Sequence, residues 1–185
     1  MAWISGNRYL TMSEMQNNAD LIHYYFSAKG WTDNAIAAML GNMQSESSIN
    51  PGIWEGLTPP SAGQTNVGYG LVQWTPYTKY SEWAGTGWED NGNKEMERII
   101  WELDNHIQWG QTTTYPMTFK AFTQSNETPA YLAQVWMYNY EKPADLNQPQ
   151  RSTQATAWYE YITGHPPVPS SIPVWLLFKL ARRGK

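Results

Sequence analysis

Cysteine is missing from all 185 residues. Disulfide scaffolds, thiolate zinc sites and every cysteine nucleophile are thereby excluded, while the redox compartment stays open. Histidine is scarce, with His23, His106 and His165 standing 83 and 59 residues apart. Neither a His-x-His nor a His-Glu-x-x-His spacing occurs, so a zinc peptidase or amidase lacks its local ligand pair, and no metal or organic cofactor is expected. The Gly-x-Ser-x-Gly elbow and the phosphate-binding Gly-x-x-x-x-Gly-Lys-Ser/Thr loop are also absent. No apolar run reaches 18 residues, so no conventional membrane span is expected. The opening MAWISGNRYL has neither the basic nor the apolar stretch of a signal peptide, and none is expected. A net charge of −4 and a pI near 5.3 give no uniform basic field, which argues against duplex nucleic acid as a partner.

What is abundant is the aromatic ring with a polar edge: 11 Trp and 12 Tyr against 4 Phe. Such rings stack on flat apolar faces and still hydrogen-bond at their rim, which suits sugars and interfaces as well as cores. The remaining pattern is mainly helical. Thr11 and Glu14 have capping-box spacing, Met15, Ala19, Ile22 and Phe26 follow at helical intervals, and Gly30 stops a helix predicted over about 12–29. A second helix starts at Thr32, carries Ile36, Met39, Leu40 and Met43 on one stripe, and ends near Ser47 or Ser48 before Asn50-Pro51-Gly52. Three further stripes are Met96, Ile99, Ile100, Leu103 and Ile107; Leu132, Val135, Trp136 and Tyr140 after Thr128-Pro129; and Ala155, Trp158, Tyr159 and Ile162 before Gly164. A shorter helix is expected around 118–123.

Between the second helix and the third stripe, a Pro, Gly, Ser and Thr-rich stretch leads into Val67-Gly68-Tyr69-Gly70-Leu71-Val72-Gln73-Trp74, which reads as a short β segment before Thr75-Pro76. The expected class is therefore α+β, mostly helical with a small β-hairpin region, in one domain over residues 1–164. Residues 165–185 form a Pro-rich linker and a short apolar and basic tail. They hold four of the twelve basic residues and none of the sixteen acids, leaving −8 on the rest of the chain. The tail is open to three readings: a linker toward another domain, an anchor on a membrane surface or partner, or a natural terminus.

Glu46 stands out by position. Met39, Met43 and Glu46 are spaced i, i+4, i+7, which puts a carboxyl on the apolar stripe in the last turn of the second helix. The negative end of a helix and an apolar surround both favour the neutral acid, and a protonated carboxyl is what glycosidic cleavage needs as general acid. The alternative is an exposed helix edge, or a cap on the loop through Ser47, Ser48 and Asn50.

The order of motifs adds to this. Met43-Gln44-Ser45-Glu46-Ser47-Ser48-Ile49-Asn50-Pro51, then Gly68–Thr75, then Arg98-Ile99-Ile100-Trp101-Glu102, then Tyr140-Glu141-Lys142-Pro143 with Asn147-Gln148-Pro149 resemble the lysozyme superfamily and, within it, the phage tail lysozyme family. The resemblance covers roughly residues 8–163. It implies a lysozyme-like fold and a muramidase acting on the β-1,4 bond between N-acetylmuramic acid and N-acetylglucosamine, with Glu46 matching the general acid. It also implies bacterial peptidoglycan and other phage tail proteins as partners, and a place in the virion tail or the host cell-wall space. Gly68 and Gly70 are expected to let a sugar chain approach a bare strand face. Gln73 is expected either to bond an N-acetyl group, to orient Glu46 or to satisfy a turn. Tyr69, Gly70, Trp74, Trp54, Glu55 and Glu141 are the expected substrate-binding residues, beside Glu46 and Gln73 as the expected catalytic ones.

A second carboxyl is open between Glu55, on the loop after the second helix, and Glu141, at the end of a long helix. Each also has a plain reading, Glu55 as a solvated charge and Glu141 as the partner of Lys142 or Arg151. A lytic transglycosylase, in which the muramyl 6-hydroxyl replaces water, and a binding module that retains the shape without cleaving are the rival functions.

Overall fold

A computed structural model describes residues 2–164; the tail expectations for 165–185 lie outside the described residues. Seven α-helices follow in order: α1 Met12–Ser27, α2 Asp33–Ser47, α3 Thr78–Ala84, α4 Gly92–Asp104, α5 Phe119–Thr123, α6 Pro129–Trp136 and α7 Gln150–Gly164. A 3₁₀ turn, Glu55–Leu57, follows α2, and a π turn, Met137–Glu141, extends α6. Local chemistry sets the boundaries. Glu14 accepts from the Thr11 backbone N–H at 2.9 Å in the expected capping box, and Thr32 and Thr128 hydroxyls accept from Ala35 and Tyr131 to start α2 and α6. Ser48 and Ile49 take left-handed backbone angles that end α2.

Helix α2 is the axis of the fold. Every residue from Ala35 to Met43 is buried, and α1, α6 and α7 pack around it. Gly41 permits a close approach of α7: a Cβ there would stand 2.6 Å from the Ala155 nitrogen and 2.8 Å from the Arg151 carbonyl. The aromatic residues form a second packed region between α3, α4 and the chain before them. Trp74 and Tyr80 stack at 4.9 Å, and Tyr69, Trp54 and Trp88 join them at 4.6–6.4 Å. Among the described residues no helix is long and apolar enough to cross a membrane.

The expected β-hairpin region is not there, and the α+β class is corrected to a helical fold with a turn-rich insertion. Among the described residues the segment makes only isolated bridges, Trp54 to Tyr69 and Tyr69 to Trp74. Gly70 and Gln73 both adopt positive φ, 80° and 50°, and the chain folds on itself through Gln73 N–H to Gly70 and Trp74 N–H to Tyr69. Tyr69, Leu71 and Val72 are all buried, so the apolar and polar alternation of a half-exposed strand is not realised. The expectation of a bare strand face is corrected with it. A Cβ at Gly68 would lie 2.8 Å from Gln73 Oε1, and one at Gly70 2.6 Å from Glu95 Oε2, so both glycines admit the protein's own side chains. Ile107 also falls outside α4 and is exposed.

Candidate active site

A cleft of about 460 Å³ opens beside the C-terminal end of α2. Glu46 and Glu141 line it, as do Trp54, Glu55, Gln73, Trp74, Lys79 and Lys142. Glu46 is brought there by its place in the last turn of α2, and the next residue fixes that turn: Ser47 Oγ donates to Met43 and to the Leu71 carbonyl, at 3.0 and 2.9 Å. The expected apolar surround is replaced by a cation. Arg151 Nη2 donates to Glu46 Oε1 at 2.5 Å, while its Nη1 and Nε donate to Asn42 Oδ1 and Gln148 Oε1. The guanidinium is buried and uses three of its nitrogens at once, which holds Glu46 in one orientation with no donor to Oε2 among the described residues. The loop after α2 is capped by Ser47 and Asn50, with no part played by Glu46.

Glu141 ends the π turn, a rare geometry that frequently marks functional positions. The turn closes with Lys142 N–H on the Met137 carbonyl and with Lys142 in the left-handed region. Glu141 Oε1 accepts from Trp136 Nε1 at 2.7 Å. Among the described residues it has no ion pair, so neither Lys142 nor Arg151 is its partner: Arg151 goes to Glu46, and Lys142 Nζ donates to the Gln108 carbonyl. Burial holds the Glu141 carboxyl well above the usual carboxylate range; the charge of Glu46 adds to this, and the Trp136 N–H and Arg151 oppose it. Lys142 is held below the usual lysine range by burial and then by Lys79.

Beneath the cleft, Glu102 of α4 joins its two sides. It accepts from Trp74 Nε1 at 3.0 Å, from Arg98 Nε at 2.8 Å and from the Tyr140 hydroxyl. Burial raises its carboxyl above the usual range against these three donors.

The other expected site residues divide. Trp54, Trp74 and Glu55 do line the cleft, and Glu55 Oε2 accepts from the Gly68 N–H at 2.8 Å, so it staples its loop. Gln73 lines it too, but its amide donates to the Ile53 and Gly70 carbonyls, the turn-satisfying arrangement, and does not reach Glu46. Tyr69 and Gly70 are not cleft residues: Tyr69 is buried with its hydroxyl accepting from Asp90 N–H, and Gly70 packs on Glu95. Among the described residues no three His, Asp or Glu side chains gather into a metal-holding group.

Residues 17–162 match the family described as phage tail lysozyme. This chain belongs to that family. It is 49% identical over 162 residues to Morphogenesis protein 1 of Bacillus phage B103, covering 86% of this chain and 43% of that relative. The chain thus spans less than half the length of this curated relative.

Within this phage tail lysozyme chain, the site residues that sequence reasoning passed over are Arg151 as the partner of Glu46, and Glu102. Both lie inside or beside the blocks that carried the resemblance, Arg98–Glu102 and Asn147–Pro149. A lone acid inside an amphipathic helix and an Arg just past a helix start carry no local signal of what they touch 28 or 105 residues away.

Proposed function

We propose that this chain cleaves the glycan strands of bacterial peptidoglycan as a muramidase, at the β-1,4 bond between N-acetylmuramic acid and N-acetylglucosamine, with Glu46 as general acid. The observation that carries this reading is the placement of Glu46, in a chain of the phage tail lysozyme family, on a cleft that also holds a second carboxyl and two Trp rings. In the reaction the leaving glycosidic oxygen takes a proton from the carboxyl as its bond to C1 breaks, and a water oxygen bonds to C1 while its proton returns to the protein. Half-buried Trp54 offers an apolar face for a sugar ring, while Trp74, stacked on Tyr80, backs the cleft wall. The family and the name of the B103 relative support work within a phage particle, with other tail proteins as neighbours and the host wall as target.

Mass spectrometry of fragments released from purified peptidoglycan by the wild type and by Glu46→Gln tests it. Fragments with muramic acid at the reducing end, absent with Glu46→Gln, are expected. Anhydromuramyl ends would mean transglycosylation, and glycan retention without fragments would mean a binding module.

A further inference from the structure

Two carboxyls on one cleft stand in opposite surroundings. Glu46, on α2, is gripped by a buried guanidinium from α7. Glu141, on the π turn after α6, accepts one neutral N–H from Trp136 and has no cation within ion-pair distance among the described residues. A half-buried carboxyl with one neutral donor keeps its proton more readily than one facing a guanidinium. When two such groups also repel each other, their protons belong to the pair.

We propose, on the basis of the muramidase reading above, that Glu46 and Glu141 work as a pair holding one catalytic proton, with Glu141 its resting place while Arg151 holds Glu46. Glu141 supplies the proton to Glu46, Glu46 passes it to the leaving glycosidic oxygen, and the attacking water returns one proton to the pair. One proton leaves and one comes back in each turnover, so no outside acid is consumed. Arg151 then has a second use, because it stabilises the Glu46 carboxylate left behind when the proton departs.

The groups around Glu141 fit this division of labour. Glu46 from α2 and Glu102 from α4 both disfavour a negative charge on it, Arg151 from α7 opposes them, and Trp136 donates from α6. On its own turn, Lys142 is turned away to the Gln108 carbonyl, and Tyr140 donates to Glu102. Lys79 and Glu55 line the same cleft without an ion pair to Glu141. Gln108 Nε2 to the Tyr140 carbonyl at 2.9 Å clamps the turn that presents Glu141.

The test is the pH profile of kcat/KM on purified peptidoglycan for wild type, Glu141→Gln, Glu141→Asp and Glu46→Gln, each checked for folding by its thermal transition. If Glu141 stores the proton, Glu141→Gln shifts the upper pH limb downward, so that the loss relative to wild type is at least about tenfold greater at pH 7.5 than at pH 5, equivalent to one pK unit. Glu141→Asp restores part of the neutral-pH activity. A Glu141→Gln profile superimposable on wild type, or a loss of equal size at every pH, overturns the proposal. A wild type that releases no glycan fragments, or an active Glu46→Gln, overturns the muramidase reading instead.

Discussion

Arg151 Nη2 and Glu46 Oε1 meet at 2.5 Å across 105 positions of chain, and the contact fastens the start of α7 to the end of α2 beside the cleft. The guanidinium is buried, and Glu46 retains 20% side-chain exposure on the cleft side. Arg151 also satisfies Asn42 inside the core, where the Asn42 amide donates to the Ala38 and Ala133 carbonyls. Arg151 therefore ties α7 to α2 and sets the Glu46 carboxylate, and Asn42 carries the link on to α6.

Arg151→Ala removes that tie and leaves Asn42 Oδ1 and Gln148 Oε1 without their donor. Removing one partner of a fully buried pair costs about 3–5 kcal/mol, and the partial exposure of Glu46 brings the expected loss below that range. Arg151→Lys keeps the charge without the planar fork and is expected to fall between wild type and Arg151→Ala. Urea unfolding of the three proteins checks the order; equal midpoints would show that the contact contributes nothing to stability.

Gly41→Ala tests the approach on which that contact depends. A methyl group at 2.6 Å from the Ala155 nitrogen and 2.8 Å from the Arg151 carbonyl forces α7 away from α2, since both obstacles are backbone. The expected destabilisation is about 1–3 kcal/mol, with a fall in peptidoglycan cleavage because Arg151 moves with its helix. Wild-type stability in this variant would mean that the two helices reseat without strain.

The helical part of this architecture was readable because its signals are local: caps at Thr11, Thr32 and Thr128, and stripes such as Ile36, Met39, Leu40 and Met43. Glu46 was readable too, as an acid on such a stripe next to motifs in a familiar order. The segment over 67–74 misled because its alternation of glycine and larger residues has the period of a strand, whereas the glycines serve turns and the close approach of Gln73 and Glu95. The partners of the site were hidden for a different reason. Whether Arg151 meets Glu46 or Glu141 depends on how α2, the π turn and α7 pack, and nothing in residues 140–151 alone chooses between them.

Tyr140→Phe probes the link beneath the cleft. It removes the hydroxyl that donates to Glu102 and leaves the ring in its stack on Trp136 at 4.3 Å. Loss of a hydrogen bond to a charged acceptor costs about 1.5–3 kcal/mol. Trp74→Phe removes a second donor from the same carboxyl, so the two variants are expected to be non-additive. A double-mutant cycle by chemical denaturation measures this; strict additivity would show that Trp74 and Tyr140 act independently despite sharing Glu102.

Glu95 predicts a pH dependence of stability with a definite sign. It is fully buried, Oε2 accepts from the Leu71 N–H at 2.7 Å, and Oε1 has no hydrogen-bond partner among the described residues. Burial pushes its carboxyl well above the usual range, the charge of Asp90 adds to this, and the Leu71 N–H opposes it. The folded chain therefore keeps a proton that the unfolded chain releases near the ordinary glutamate value of about 4.3. Above that pH the unfolded state binds fewer protons, so this residue's contribution to stability declines as pH rises, by at most about 1.4 kcal/mol per unit, until the folded carboxyl also ionises. Glu95→Gln keeps the shape and the Leu71 contact without a proton to lose. Its stability relative to wild type is expected to increase steadily from pH 5 to pH 7, as followed by urea unfolding at half-unit steps. Parallel stability curves for the two proteins would mean that Glu95 is ionised in the fold and that its charge is met by a group other than Leu71.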